Sequence, residues 1–195
     1  MRKQRVVNKR NSFINRLSHV NSQKVLAGIL VVVVLAILFL RYQKIFIWSI
    51  LAFGASIIKY YRCRYWGHIP IVFEPVLFVG VVLTKGYGFM WSLAFLFGPN
   101  LFGELLSGGV QFALILSFLQ FTFYQFIVLL LGNMNIVIVG LIICLLDIII
   151  GHMMNTFVWG TPPFFLIYPI SNLVTHFIYF SIFGDALVAL LKATA

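Results

Sequence analysis

The chain has 195 residues, 62% of them hydrophobic and 9% charged, with 17% aromatic residues and a mean hydropathy of +1.05. Soluble domains carry about 25% charged residues, so this composition excludes a soluble enzyme, an intrinsically disordered chain and a disulfide-rich secreted domain. Fourteen Lys and Arg against four Asp and Glu leave a formal net charge of +10, and the class that remains is an all-α polytopic membrane bundle.

Residues 1–24 hold seven bases (Arg2, Lys3, Arg5, Lys9, Arg10, Arg16 and Lys24) and no acid. A basic flank beside a span is the positive-inside signal, and it also suits anionic lipid. No aromatic stacking platform accompanies it, so no nucleic acid is expected as a partner. The reading is a basic cytoplasmic tail over 1–24 and a transmembrane helix bundle over 25–195. The first apolar run starts late and has no small-residue cleavage site before Arg41, which reads as an uncleaved span.

Apolar runs follow at 25–40, 45–58, 70–84, 89–106, 110–131, 136–151 and 164–183. A span takes about 20 residues rising about 1.5 Å each. Only 110–131 and 164–183 reach that length, so the others are expected to be tilted, kinked or buried behind neighbours. The run 70–84 is either a span or re-entrant, which gives six to seven transmembrane helices.

Chemistry marks the boundaries. Arg41, Gln43 and Lys44 predict a tight turn, because two cations at mid-membrane are costly. Lys59, Arg62 and Arg64, with Tyr60, Tyr61, Tyr65 and Trp66, predict an interfacial basic loop over 59–69. With the N-terminus inside, ten of the fourteen bases then face the cytoplasm. Glu74-Pro75 predicts a helix start with Pro75 in the first turn. Lys85-Gly86-Tyr87-Gly88 and Gly132-Asn133-Met134-Asn135 read as turns, and Gly160-Thr161-Pro162-Pro163 opens the last helix. Asp185, after Gly184, is expected at an interfacial helix end.

Polar residues inside apolar runs are site candidates, with interhelical hydrogen bonding as the alternative. At about 100° per residue, Tyr168, Asn172, Thr175, His176 and Tyr179 share one stripe of the last helix, and Ile170, Val174, Phe177 and Ile178 face away. This stripe is either a cavity wall or a hydrogen-bonded seam. Asn100, Glu104 and Ser107 fall on one face after Gly98-Pro99, a predicted helix break of the kind that lines cavities; Glu104 is otherwise solvated at the interface. Asp147, His152 and Asn155 form a looser third group, able to move protons or hold a cation. The ligand-binding candidates are therefore Asn100, Glu104, Asp147, His152, Asn155, Asn172, Thr175, His176 and Tyr179. Gln111, Gln120 and Gln125 are expected to serve packing.

No nucleophile elbow, metalloprotease motif or phosphate loop occurs, so an enzyme is not expected and no catalytic residue is assigned. Cys63 and Cys144 have no paired spacing, which argues against metal or redox chemistry. No cofactor or metal is expected.

Three segments together resemble known membrane families: Phe73-Glu74-Pro75-Val76-Leu77-Phe78, Lys85-Gly86-Tyr87-Gly88, and Phe102-Gly103-Glu104-Leu105-Leu106-Ser107-Gly108. They look like S components of energy-coupling factor transporters and like the rod-shape protein MreD. Tyr168-Pro169-Ile170-Ser171-Asn172-Leu173 is similar to the opening of the last MreD helix. The resemblance covers 70–191 and implies a bundle of about six helices in a cell membrane. Its first functional implication is a small-solute-binding subunit of an uptake transporter that needs a separate energising membrane partner. Its second is an MreD-like scaffold for cell-envelope assembly, and an intramembrane enzyme stands third. S components dock their membrane partner through small residues spaced one turn apart, of which Ala52 and Ser56 offer a partial version.

Overall fold

The computed structural model describes residues 22–65, 74–108, 112–157 and 167–195, all organised as helices and short connections with no strand among them. In chain order the helices are α1 (Ser22–Arg41), α2 (Gln43–Tyr65), α3 (Val76–Gly86), α4 (Phe89–Ser107), α5 (Phe112–Leu130), α6 (Ile136–Phe157), α7 (Ile167–Tyr179) and α8 (Asp185–Ala193). Among the described residues four segments are long and apolar enough to cross a membrane: Gln43–Tyr65, Phe89–Ser107, Ile136–Met154 and Pro169–Ala193. The tail up to residue 21 and the turn at Gly160–Pro163 lie outside the described residues.

The chain divides into two units, Met1–Gln43 and Lys44–Ala195. The first contains α1, an apolar helix ending on Arg41. The turn expected over 41–44 is narrower than its chemistry suggested, because Tyr42 alone interrupts the helical backbone.

In the second unit the core is built around α3. All nine residues from Val76 to Thr84 are buried, and α3 packs against α4, α5, α6, α7 and α8. Lipid is as apolar as leucine, so burial alone does not hold such a helix; close packing and interhelical hydrogen bonds do. Ser92 donates to the Gly80 carbonyl at 3.0 Å, and Thr84 donates to Gln125 Oε1 at 2.7 Å. Gly80 permits this approach, since a Cβ there would stand 2.8 Å from Gln125 Nε2. Leu83, Phe95, Leu96, Tyr124, Ile143, Phe180 and Leu191 complete the interior. The outward surface carries large apolar side chains such as Ile50, Phe53, Phe102, Leu119 and Ile149, as a lipid-facing bundle would.

One end of this unit is aromatic and basic. Lys44 Nζ lies 5.0 and 5.1 Å from the ring centres of Tyr87 and Trp91. Trp48 donates its indole N–H to the Trp91 carbonyl at 2.9 Å, and the Tyr87 hydroxyl meets Thr194 Oγ1 at 2.7 Å. Lys85 donates to the Gly132 carbonyl at 2.8 Å and also to the Met134 carbonyl, tying α3 to the turn between α5 and α6. Successive helices of the second unit therefore alternate in direction between this end and the opposite one, with α7 and α8 running on as one segment.

Three boundaries differ from expectation. Gly98-Pro99 does not break α4: Leu96–Asn100 widens into a π-helical turn that absorbs Pro99, which has no N–H to contribute. A second π turn, Phe180–Gly184, joins α7 to α8, so Asp185, which is exposed, begins a helical segment instead of ending one. The helix around Glu74-Pro75 starts one residue later, with Pro75 capping α3 and its carbonyl accepting from Val79 N–H at 2.8 Å.

Candidate solute cavity

The length of α3 creates the site. Eleven residues rise about 16 Å, roughly half of a hydrocarbon core about 30 Å thick. Its neighbours α2, α5, α6 and α7 continue past its N-terminal end. The space beyond Pro75 is a cavity of about 270 Å³.

One wall is charged. Helix α2 does not stop at residue 58, as a basic loop over 59–69 required; it runs on to Tyr65. Lys59 faces inward at 7% exposure. It pairs with Glu104 on α4 and stands 3.6 Å from Glu74. Arg62, one turn further, pairs with Glu74 at the cavity wall. The two carboxylates neutralise Lys59 where it would otherwise be forced to the interface. Glu104, expected either in a cavity or solvated, is instead held in this pair, with only 16% of its side chain exposed.

The facing wall is a hydrogen-bond network. Asp147 on α6 accepts from Gln120 Nε2 at 3.1 Å, from the Tyr124 hydroxyl at 3.2 Å and from Asn172 Nδ2 at 2.9 Å. Gln120 also donates to the Tyr124 hydroxyl. Three helices, α5, α6 and α7, therefore converge on one carboxylate. Gln120 was expected to serve packing, yet it bonds Asp147 and lines the cavity.

His176 stands one turn beyond Asn172 and is 2% exposed, and its Nδ1 lies 2.9 Å from the Asn172 backbone oxygen. A carbonyl only accepts, so Nδ1 carries the proton and Nε2 of the neutral ring is left with a lone pair. Neither His176 Nε2 nor Asn172 Oδ1 has a partner among the described residues. Both residues line the cavity, as do Asp147 and His152.

Of the sequence-level candidates, Asp147, His152, Asn172 and His176 thus meet at one cavity, although they come from two separate groups. Thr175 and Tyr179 are half-buried and do not line it; Tyr179 packs on Phe78 with ring centres 5.5 Å apart. Asn100 is 1% exposed beside the π turn, away from the cavity wall, with no partner for its amide among the described residues. The side chains of Asn155 and Tyr168 lie outside the described residues.

Glu74, Arg62, Lys59, Gln120 and Tyr124 are the contributors that pattern reading missed. One signal was available for Glu74: the chain has only four acids, and an acid between two apolar runs is rarely left to solvent. The small residues Ala52 and Ser56 are buried within the second unit, with the Ser56 carbonyl facing Gly103. They are not offered outward as a docking stripe. Among the described residues no group of three or more His, Cys, Asp or Glu is placed to hold a metal ion. No protein-family model, curated protein or solved structure matches the chain.

Proposed function

We propose that this chain is a small-solute-binding membrane protein, acting as the capture subunit of an uptake system and relying on a separate energising partner. The observation that carries the reading is the cavity of about 270 Å³ beyond α3, walled by the polar and charged side chains of Arg62, Glu74, Gln120, Asp147, His152 and Asn172. A concave space with a few convergent polar groups among apolar walls is the usual form of a small-molecule site. In this reading the bundle crosses a cell membrane six or seven times. α3 is a part-depth pass, and the basic tail holds the N-terminus in the cytoplasm.

A second reading also has an observation of its own. Asp147 ties α5, α6 and α7 together through Gln120, Tyr124 and Asn172, which is what a non-transporting scaffold of the MreD kind would use as interhelical glue. Thermal unfolding of the purified chain against a broad metabolite panel separates the two. A ligand present at about 100 times its Kd adds about 2.7 kcal/mol. A saturable rise in melting temperature supports capture, and a panel with no such rise supports the scaffold.

A further inference from the structure

We infer that a groove between α2 and α4 holds an anionic membrane lipid, with an acyl chain in the groove and the phosphate at Lys44. The groove measures about 500 Å³, and every residue lining it is apolar. Helix α2 contributes Trp48 and Phe53, and α4 contributes Phe97, Gly98, Pro99 and Phe102. Phe53, Phe97 and Phe102 are 52%, 52% and 60% exposed, so the groove belongs to the outward apolar surface and not to the core. Gly98 and Pro99 lie in the π turn of α4. A Cβ added to Gly98 would meet nothing within 4 Å, so the space beside this turn is open between large aromatic side chains. A flexible hydrocarbon chain fits such a channel, and the surrounding solvent supplies it.

Depth and charge select the headgroup. Trp48 joins the groove to the aromatic and basic end through its bond to the Trp91 carbonyl. Lys44 stands one turn before it on α2, over the Tyr87 and Trp91 rings. Trp and Tyr gather at headgroup level. Phe53 is nine residues from Lys44, about 14 Å along the helix, which is acyl-chain depth in a core about 30 Å thick. Lys192 is exposed and is brought beside Lys85 by the contact of Leu191 with Gly86. Among the described residues no carboxylate pairs with Lys44, Lys85 or Lys192. Glu74, Glu104 and Asp147 stand toward the opposite end, and Asp185 lies seven residues before Lys192, about 10 Å away along α8. Rings and carbonyls engage Lys44 and Lys85 without cancelling their charge. A phosphodiester brings one negative charge and accepts the N–H donors of an ammonium. A zwitterionic headgroup carries its own cation and gains less.

The test uses the full chain carrying Trp66→Phe and Trp159→Phe, in detergent micelles titrated with lipids whose acyl chains are brominated. Bromine quenches tryptophan at short range, so Trp48 and Trp91 report lipid at the groove, and lipid gathered away from them stays silent. Brominated phosphatidylglycerol is expected to half-quench at a mole fraction about fivefold below that of brominated phosphatidylcholine, the ratio that one lysine near an anionic surface supplies. Lys44→Gln is expected to bring the two lipids level. Gly98→Leu, which fills the groove where its side chain has room, is expected to weaken quenching by both. Should one variant fail to fold, the other decides. Equal quenching by the two lipids in the parent chain overturns the charge selection, and a preference that survives Lys44→Gln overturns the place of the headgroup. Undiminished quenching in Gly98→Leu overturns the groove. Inorganic phosphate that relieves the quenching as well as unbrominated phosphatidylglycerol does would make this a site for a soluble anion and overturn the lipid. A dimer in micelles that Gly98→Leu turns into a monomer would put a second copy of the chain in the groove and overturn it equally.

Discussion

The ammonium of Lys59 on α2 closes an ion pair with Glu104 on α4, and 8% and 16% of the two side chains are exposed. Breaking a buried pair by removing one partner leaves the other charge uncompensated, at a cost of about 3–5 kcal/mol, whereas replacing both by apolar groups is often neutral. Lys59→Met is therefore expected to lower stability by about that amount, and the double change Lys59→Met with Glu104→Leu should recover part of the loss. Denaturant unfolding in micelles checks this. Equal stability of Lys59→Met and the parent chain would show that the pair contributes nothing.

Gly140 and Gly86 are held by contact and Gly54 is not. A Cβ on Gly140 of α6 would collide with the Phe180 ring, and a Cβ on Gly86 would collide with Leu191. Phe180 and Leu191 are fully buried and cannot retreat. Gly140→Ala and Gly86→Ala should each lose about 1–3 kcal/mol. Gly54, inside α2 with nothing within 4 Å of its added Cβ, should gain about 0.5–1 kcal/mol on the same change. Unfolding midpoints of the three variants give the order, and a destabilised Gly54→Ala would contradict the open space beside it.

Helix α7 has one polar and one apolar face. Asn172 is 9% exposed and donates to Asp147, whereas Phe177 is 45% exposed. Asn172→Ala removes a membrane interhelical hydrogen bond, worth about 0.6 kcal/mol on average and about 1.7 at most. Phe177→Ala should stay within about 0.5 kcal/mol, as surface changes do. A larger loss for Phe177→Ala would invert the assignment of faces.

The two thiols report both packing and orientation. Cys63 is exposed and Cys144 is buried. Maleimide should label Cys63 in the folded protein and reach Cys144 only after denaturation. With the N-terminus cytoplasmic and α1 and α2 each crossing once, Cys63 ends on the cytoplasmic side. An impermeant reagent applied outside intact cells should leave it unlabelled, and efficient labelling from outside would reverse the proposed orientation.

Helical class and the position of most helices were legible because lipid demands long apolar runs, and the boundaries at 89, 136 and 43–45 follow from single polar or glycine-rich interruptions. The reach of α2 was not legible. Lys59, Arg62 and Arg64 look like an interfacial loop until Glu74 and Glu104, distant in sequence, are brought beside them. The inward stripe on α7 was readable from its period, since Asn172 and His176 lie on one side of a single helix. Their meeting with Asp147 was not readable, because the partner sits 25 residues away and helical phase says nothing about which helix is the neighbour. Gln120 failed for the same reason: a glutamine on an apolar helix looks the same whether it bonds a carboxylate or fills a gap.

The seclusion of α3 has a consequence for how the chain is made. From Val76 to Thr84 it presents almost nothing outward, and one of its flanks is covered by α8, where Leu191 seats against Gly86. During synthesis α3 leaves the ribosome about a hundred residues before the segment that finally encloses it. Until then it must rest against provisional surroundings, lipid or an insertion factor, and the segment Asp185–Ala193 closes the wall around it. A stop codon in place of Phe180 would remove α8 and yet leave the innermost helix uncovered along one side.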